Sequence, residues 1–253
     1  MSDSELFWNA SITDLKRGFL EQDKYFTCLL CGKEIEKGII YSDSGTLYEA
    51  EKFIEIHILK AHHSVFDYLI NLDKRLTGLT DHQKKLLDLF YQGKNNSEIQ
   101  KEMNIGSVST IRNHRFQFKE RERQSKLFLV LMEILKEKDQ FAPVFLSLHK
   151  NAKIVDQRYN VTEEEKEKII KNFFSKETIG HLKAFPAKEK YKLIILREFA
   201  SDFKKNRKYD EKEVNQIIKK RYTDFVTIRR YLIEYGFMER KPDGSQYWLK
   251  EGL

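Results

Sequence analysis

Four side chains near the N-terminal end of the chain have the types and spacing of a metal site. Cys28 and Cys31 lie in Cys28-Leu29-Leu30-Cys31-Gly32. Two intervening residues let both thiolates face one ion, and the glycine permits the tight turn beneath it. His57 and His62 follow with four residues between them, within the spacing of zinc-binding histidine pairs. Two thiolates and two imidazoles fill a tetrahedron and leave no open position. The expected cofactor is therefore a structural Zn2+, held by Cys28, Cys31, His57 and His62. His63 also satisfies the spacing and is the alternative fourth ligand. Twenty-five residues separate Cys31 from His57, about twice the gap of a standard two-Cys two-His finger. The competing reading is two buried free cysteines with surface histidines. A thiol-redox role is disfavoured, because no thioredoxin-type strand–helix unit surrounds the pair.

A second set of residues suits nucleic acid. Between 107 and 119 the chain reads Ser-Val-Ser-Thr-Ile-Arg-Asn-His-Arg-Phe-Gln-Phe-Lys. Arginine bonds guanine bidentately and asparagine bonds adenine bidentately, so Arg112 and Asn113 are the base-reading candidates. Lys94, Ser109, Thr110, Arg115 and Lys119 suit phosphate contacts, which position without specifying, and Phe116 falls on the same side. Arg229 and Arg230, in the more basic C-terminal third, form a third set. They could make a second DNA contact or pair with neighbouring acids. No Ser/His/Asp set, phosphate-cradling glycine loop or open metal site is evident, so an enzyme is not expected.

These residues need elements to hold them. For the first set, strands are expected at 25–27, 38–41 and 46–48, and a helix at 50–62 with Phe53, Ile54, Ile58 and Leu59 as its apolar stripe. A helix is also read from Ser11 to Phe19, and another from Ser64 to Leu72. For the second set, Thr80 and Gln83 form a capping box, with Leu86, Leu87, Phe90 and Tyr91 buried and Gly93 ending the helix. Asn95 caps a second helix with Glu98 at N3, burying Ile99 and Met103. Ser107 caps a third, with Ile111 and Phe118 inward. Residues 119–136 extend it and become apolar nearly all round from Leu127 to Leu135. Such a segment must be buried on all sides, either within its own chain or in a homodimer through 124–136.

The stretch from Leu79 to Arg123 resembles a LuxR-type (GerE-like) helix-turn-helix. Leu79-Thr80, the Gly93…Asn95…Glu98-Ile99 step and Thr110-Ile111-Arg112-Asn113-His114 carry the resemblance. It implies that the third helix enters the DNA major groove. The turn at 105–110 is one residue longer than usual. Near the C-terminus, Leu182-Lys183-Ala184-Phe185-Pro186, Lys192-Leu193-Ile194, Tyr209…Glu213-Val214-Asn215, Arg229-Arg230-Tyr231-Leu232 and Asp243-Gly244…Tyr247-Trp248 are similar to a domain of unknown function found in some bacterial helix-turn-helix regulators. Helix, short strand, helix, helix and hairpin are expected there, a winged-helix order.

The chain of 253 residues carries a formal net charge of +7, and 34% of its residues are charged. That balance allows nucleic acid or an anionic membrane as partner without choosing between them. No apolar run long enough to span a bilayer is present, and the N-terminus lacks a signal-peptide pattern, so a cytoplasmic protein is expected. The expected architecture is mainly α, in four parts. A zinc-finger-like module covers 1–78, and a helix-turn-helix with its long apolar helix covers 79–139. A linker and helix cover 140–176, and a winged-helix-like domain covers 177–253. The expected function is a DNA-binding transcriptional regulator. A protein-interaction adaptor built on the same helices is the alternative.

Overall fold

Eight of the twelve described helices begin at Ser, Thr, Asn or Asp residues whose side chains accept the first free backbone N–H groups. The computed structural model describes residues 3–146, 159–175, 180–205 and 207–250. Among them the fold is mainly helical, with twelve helices and eight short strands. No described helix is long and apolar enough to cross a membrane. The chain divides into two compact units, Met1–Thr77 with Phe145–Leu253, and Gly78–Val144.

The N-terminal part starts with α1 (Asp3–Asn9) and α2 (Ile12–Arg17), the latter capped by Ser11. Gly18, at φ 85°, ends α2 in the left-handed region. A Cβ there would meet Val65 Cγ2 at 2.6 Å, so space and backbone both demand glycine. The chain then turns into β1 (Phe19–Glu21), so the helix read from Ser11 to Phe19 ends two residues early, at Arg17. β1 pairs antiparallel with β2 (Tyr25–Cys28), and β2 with β3 (Glu34–Glu36). β4 (Ile40–Asp43) and β5 (Thr46–Glu49) make a separate hairpin. On α3 (Ala50–His62), Ala50, Ile54, Ile58 and His62 are buried at four-residue intervals, which is one helical face. Leu59, expected on that stripe, is 65% exposed instead. Ile54 and Ile58 share a core with Phe7, Phe19, Phe26, Leu30 and Ile35. α4 (Val65–Ile70) and α5 (Lys74–Thr77) follow, with Ser64 capping α4.

The second unit holds α6 (Asp81–Tyr91), α7 (Asn96–Glu102) and the 31-residue α8 (Val108–Lys138). Thr80 with Gln83, and Asn95 with Glu98, form complete capping boxes, and Ser107 caps α8 by accepting from the Ser109 N–H. Leu86, Leu89, Ile99 and Ile111 are its buried core, joined by Phe90, Met103, Ile105 and Phe118. Tyr91 was expected inward but is exposed, and Leu89 fills that role.

In the C-terminal part, α9 (Glu163–Phe173) begins at a capping box of Thr162 and Glu165. Then come α10 (Glu189–Ala200), β6 (Lys208–Tyr209), α11 (Glu211–Lys219), α12 (Phe225–Glu234), β7 (Met238–Arg240) and β8 (Tyr247–Leu249). The sheet order is β6-β8-β7. Leu146, Val161, Ile169 and Phe174 join the core built by α10, α11 and α12, so the stretch read as linker and helix contributes packing to this part. Its residues 147–158 lie outside the described ones.

Candidate metal centre and nucleic-acid interface

The metal-site candidates meet because β2 and β3 are joined by a short knuckle over which α3 lies. Cys28 ends β2, and its N–H donates to the Lys33 carbonyl at 2.8 Å. The Gly32 N–H donates back to the Cys28 carbonyl at 2.8 Å, with Gly32 at φ 79°. This closes the turn and brings Cys31 beside Cys28. Burial of Ile54 and Ile58 fixes the rotation of α3, which carries His57 and His62 to the knuckle.

The ligand atoms of Cys28, Cys31, His57 and His62 all lie within 4.8 Å of one another. Cys31 Sγ is 3.2 Å from His57 Nε2, and Cys28 Sγ is 3.8 Å from His62 Nε2. A tetrahedral zinc with bonds of about 2.3 Å to sulfur and 2.0 Å to nitrogen separates S and N ligands by about 3.5 Å. The observed pairs bracket that value, so these residues can hold a metal ion and their geometry is compatible with zinc. The hydrogen bond with Cys28, aided by burial, holds the Cys31 thiol above its ordinary pKa, while His57 and His62 pull it the other way. A bound cation favours the thiolates and releases their protons.

His62 is buried and edge-on to Tyr68, with ring centroids 5.7 Å apart. His63 lies outside the cluster, exposed, at φ 61° and ψ −56°. The Ser64 N–H donates to the His62 carbonyl at 2.7 Å, closing a γ-turn of the positive-φ kind that strains an L-residue.

The second set of candidates is divided by the fold. Ser109, Arg112, Asn113 and Phe116 fall at i, i+3, i+4 and i+7 on α8, and all are exposed. Thr110, also exposed, sits beside that face. Among the described residues Arg112 and Asn113 carry no side-chain hydrogen bond or ion pair, which leaves both free for a ligand. Lys119 pairs with Glu122 at 2.7 Å, with both side chains largely in solvent. Arg115 is used differently. Its Nε donates to Asn96 Oδ1 at 3.0 Å, and its guanidinium stacks 3.6 Å over the Phe90 ring. It therefore ties α6, α7 and α8 together. Lys94 pairs with Glu102 across α7. Arg121, not singled out from the sequence, donates to the Gly78 carbonyl at 3.0 Å.

Arg229 also turns inward. Its Nη1 donates to Glu211 at 2.7 Å and to Asn215, and its side chain is only 16% exposed. Arg230 is exposed beside Tyr231. Of this pair, Arg230 alone remains on the surface. Pairing with a neighbouring acid, one of the two readings for this set, applies to Arg229.

Residues 181–249 match a family model described as "Uncharacterized protein conserved in bacteria (DUF2087)". The match runs from just before α10 through β8, in the region whose resemblance to a domain of unknown function was noted above. It does not reach residues 79–123. No curated protein and no solved structure matches the chain.

Proposed function

We propose that this protein is a sequence-specific DNA-binding regulator of transcription that reads the major groove with the first half of α8. The observation that carries the reading is the exposed face of Ser109, Arg112, Asn113 and Phe116 on a helix fixed from behind by α6 and α7. α6, the α7 turn and α8 follow one another as in a helix-turn-helix, whose last helix presents base-reading side chains. The two groups with bidentate chemistry for guanine and adenine are the ones left unpaired. Arg115 and Lys94 then act as braces of the reading head, and Lys119 as a phosphate contact. A net charge of +7 favours polyanions.

Zinc at Cys28, Cys31, His57 and His62 has a structural role in this reading. It staples the knuckle to α3 in a small module of short strands. In the C-terminal part, the sheet order β6-β8-β7 with α11 and α12 between β6 and β7 supports a winged-helix-like reading. Arg229 is committed inside that part, so a second DNA contact there rests on Arg230 and the β7–β8 hairpin.

Selection of bound fragments from a random duplex pool, followed by titration of the recovered site, tests the proposal. Arg112→Ala is expected to weaken the selected site roughly 10-fold and relax preference at one base pair, the scale of one bidentate contact. Lys119→Ala is expected to weaken all sequences alike and to reduce the salt slope by about 1. Failure to recover any sequence-preferring, salt-sensitive binding would reject DNA readout and favour the adaptor reading.

A further inference from the structure

Phe116 is a large apolar side chain set in a polar face, and it is 62% exposed. On α8, Ile111 and Phe118 join the core made with α6 and α7. At about 100° per residue, Phe116 lies about 140° from Ile111 and about 160° from Phe118, on the far side of the helix. Its neighbours on that side are Ser109, Arg112 and Asn113, all exposed. Among the described residues its ring meets no other ring and no cation. The next exposed large apolar side chain along α8 is Leu127, eleven residues or about 16 Å further on. Phe116 therefore belongs to no apolar patch of α8. It is a single ring among polar groups.

We propose that Phe116 is a specificity-determining residue that reads the methyl group of a thymine in the major groove. The inference rests on the DNA reading proposed above and deepens it. Base edges in that groove present hydrogen-bonding nitrogen and oxygen atoms, and the thymine methyl is the one apolar group among them. A phenyl ring laid against an amino group or a carbonyl would leave that group dehydrated and unpaired. Laid against a methyl group, it removes apolar surface from water at no such cost. Phe116 thus favours thymine and disfavours cytosine, which carries an amino donor and no methyl. Position agrees with the chemistry. Phe116 lies three and four residues beyond Asn113 and Arg112, about 4.5 and 6 Å along the axis, less than two base-pair rises of about 3.4 Å. The thymine is therefore expected within about two base pairs of the guanine and adenine that those residues suit. A protein or lipid seat would need apolar surface continuing around the ring, and Ser109, Arg112 and Asn113 surround it with polar ends instead.

Replacing thymine by uracil tests it, because the change removes the methyl group and keeps every hydrogen-bonding atom of the base. In the site selected from the random duplex pool, each thymine is replaced in turn and binding of the full chain is titrated. One replacement, close to the base pair whose preference Arg112→Ala relaxes, is expected to weaken binding about 4-fold, the scale of one buried methyl group. Phe116→Ala is expected to bind the thymine and uracil duplexes alike at that position, and Phe116→Leu to keep the preference for thymine. Far-UV circular dichroism of both variants should match the wild type, since the side chain is mostly in solvent. A selected site without thymine, or one in which no single replacement weakens binding, overturns the inference and leaves the DNA reading standing. A thymine preference that persists in Phe116→Ala also overturns it, because another group then meets the methyl. Failure to recover any sequence-preferring binding is a distinct result and rejects the DNA reading together with this inference.

Discussion

At His62 and His63, two adjacent residues of one type are given opposite tasks by the backbone. His62 is the last residue of α3, buried and facing the cysteines, whereas His63 is in a strained exposed turn. His62→Ala is expected to lower metal content well below one zinc per chain, measured on purified protein by elemental analysis. His63→Gly should keep the metal and stabilise the folded protein by roughly 1 kcal/mol, because glycine removes a strain of about 1–3 kcal/mol at some cost in chain entropy. Loss of metal on His63→Gly would move the fourth ligand to that residue. The four ligand types were legible in the sequence, since Cys-x-x-Cys and a spaced histidine pair are local signals. The choice between His62 and His63 was not. It depends on where α3 ends and on the φ of a single residue, which spacing alone does not encode. The fate of Arg115 and Arg229 was equally hidden, because Asn96, Phe90, Glu211 and Asn215 meet them only through tertiary packing.

Element by element, the helix starts carry much of the local order. The Asn95 side chain accepts from the N–H groups of Ser97 and Glu98, and Glu98 accepts from the Asn95 N–H at 2.7 Å. Asn95→Ala removes the cap and is expected to cost about 1 kcal/mol. Hydrogen exchange at the Ser97 and Glu98 amides should accelerate about 5-fold if local opening governs them. Unchanged exchange would mean that packing of Ile99, rather than the cap, holds this end of α7. Caps at Thr80, Asn95 and Ser107 were readable because cap chemistry involves only a few consecutive residues. Strands were less so. β1 follows α2 with Phe19 and Leu20 in helical phase, and only the left-handed Gly18 and the pairing of Phe19 with Cys28 turn it into strand. β3 has three residues, too few for an alternating pattern to be told from chance.

For the whole molecule, the described residues form three separate hydrophobic cores. The candidate metal ligands belong to the part that holds five of the eight described strands, each only three or four residues long, where little surface is buried and a bound ion would supply folding energy. Chelation is expected to abolish hydrogen-exchange protection in β2 and α3 while α10 and α12 stay protected, read peptide by peptide by mass spectrometry. Loss of protection in all of them at once would mean that the cores unfold as one. α8 has a consequence of its own. Its 31 residues form a single unbroken rod, and Arg112 lies 19 residues, about 28 Å, from Leu131. A stiff rod held near one end is a mechanical lever. A tilt of about 10° at Leu131 would swing Arg112 by about 5 Å, more than the 3.4 Å rise of one base pair along a strand. In the proposed DNA-reading role, small changes of angle in the apolar half would thus be magnified into a change of address on the duplex.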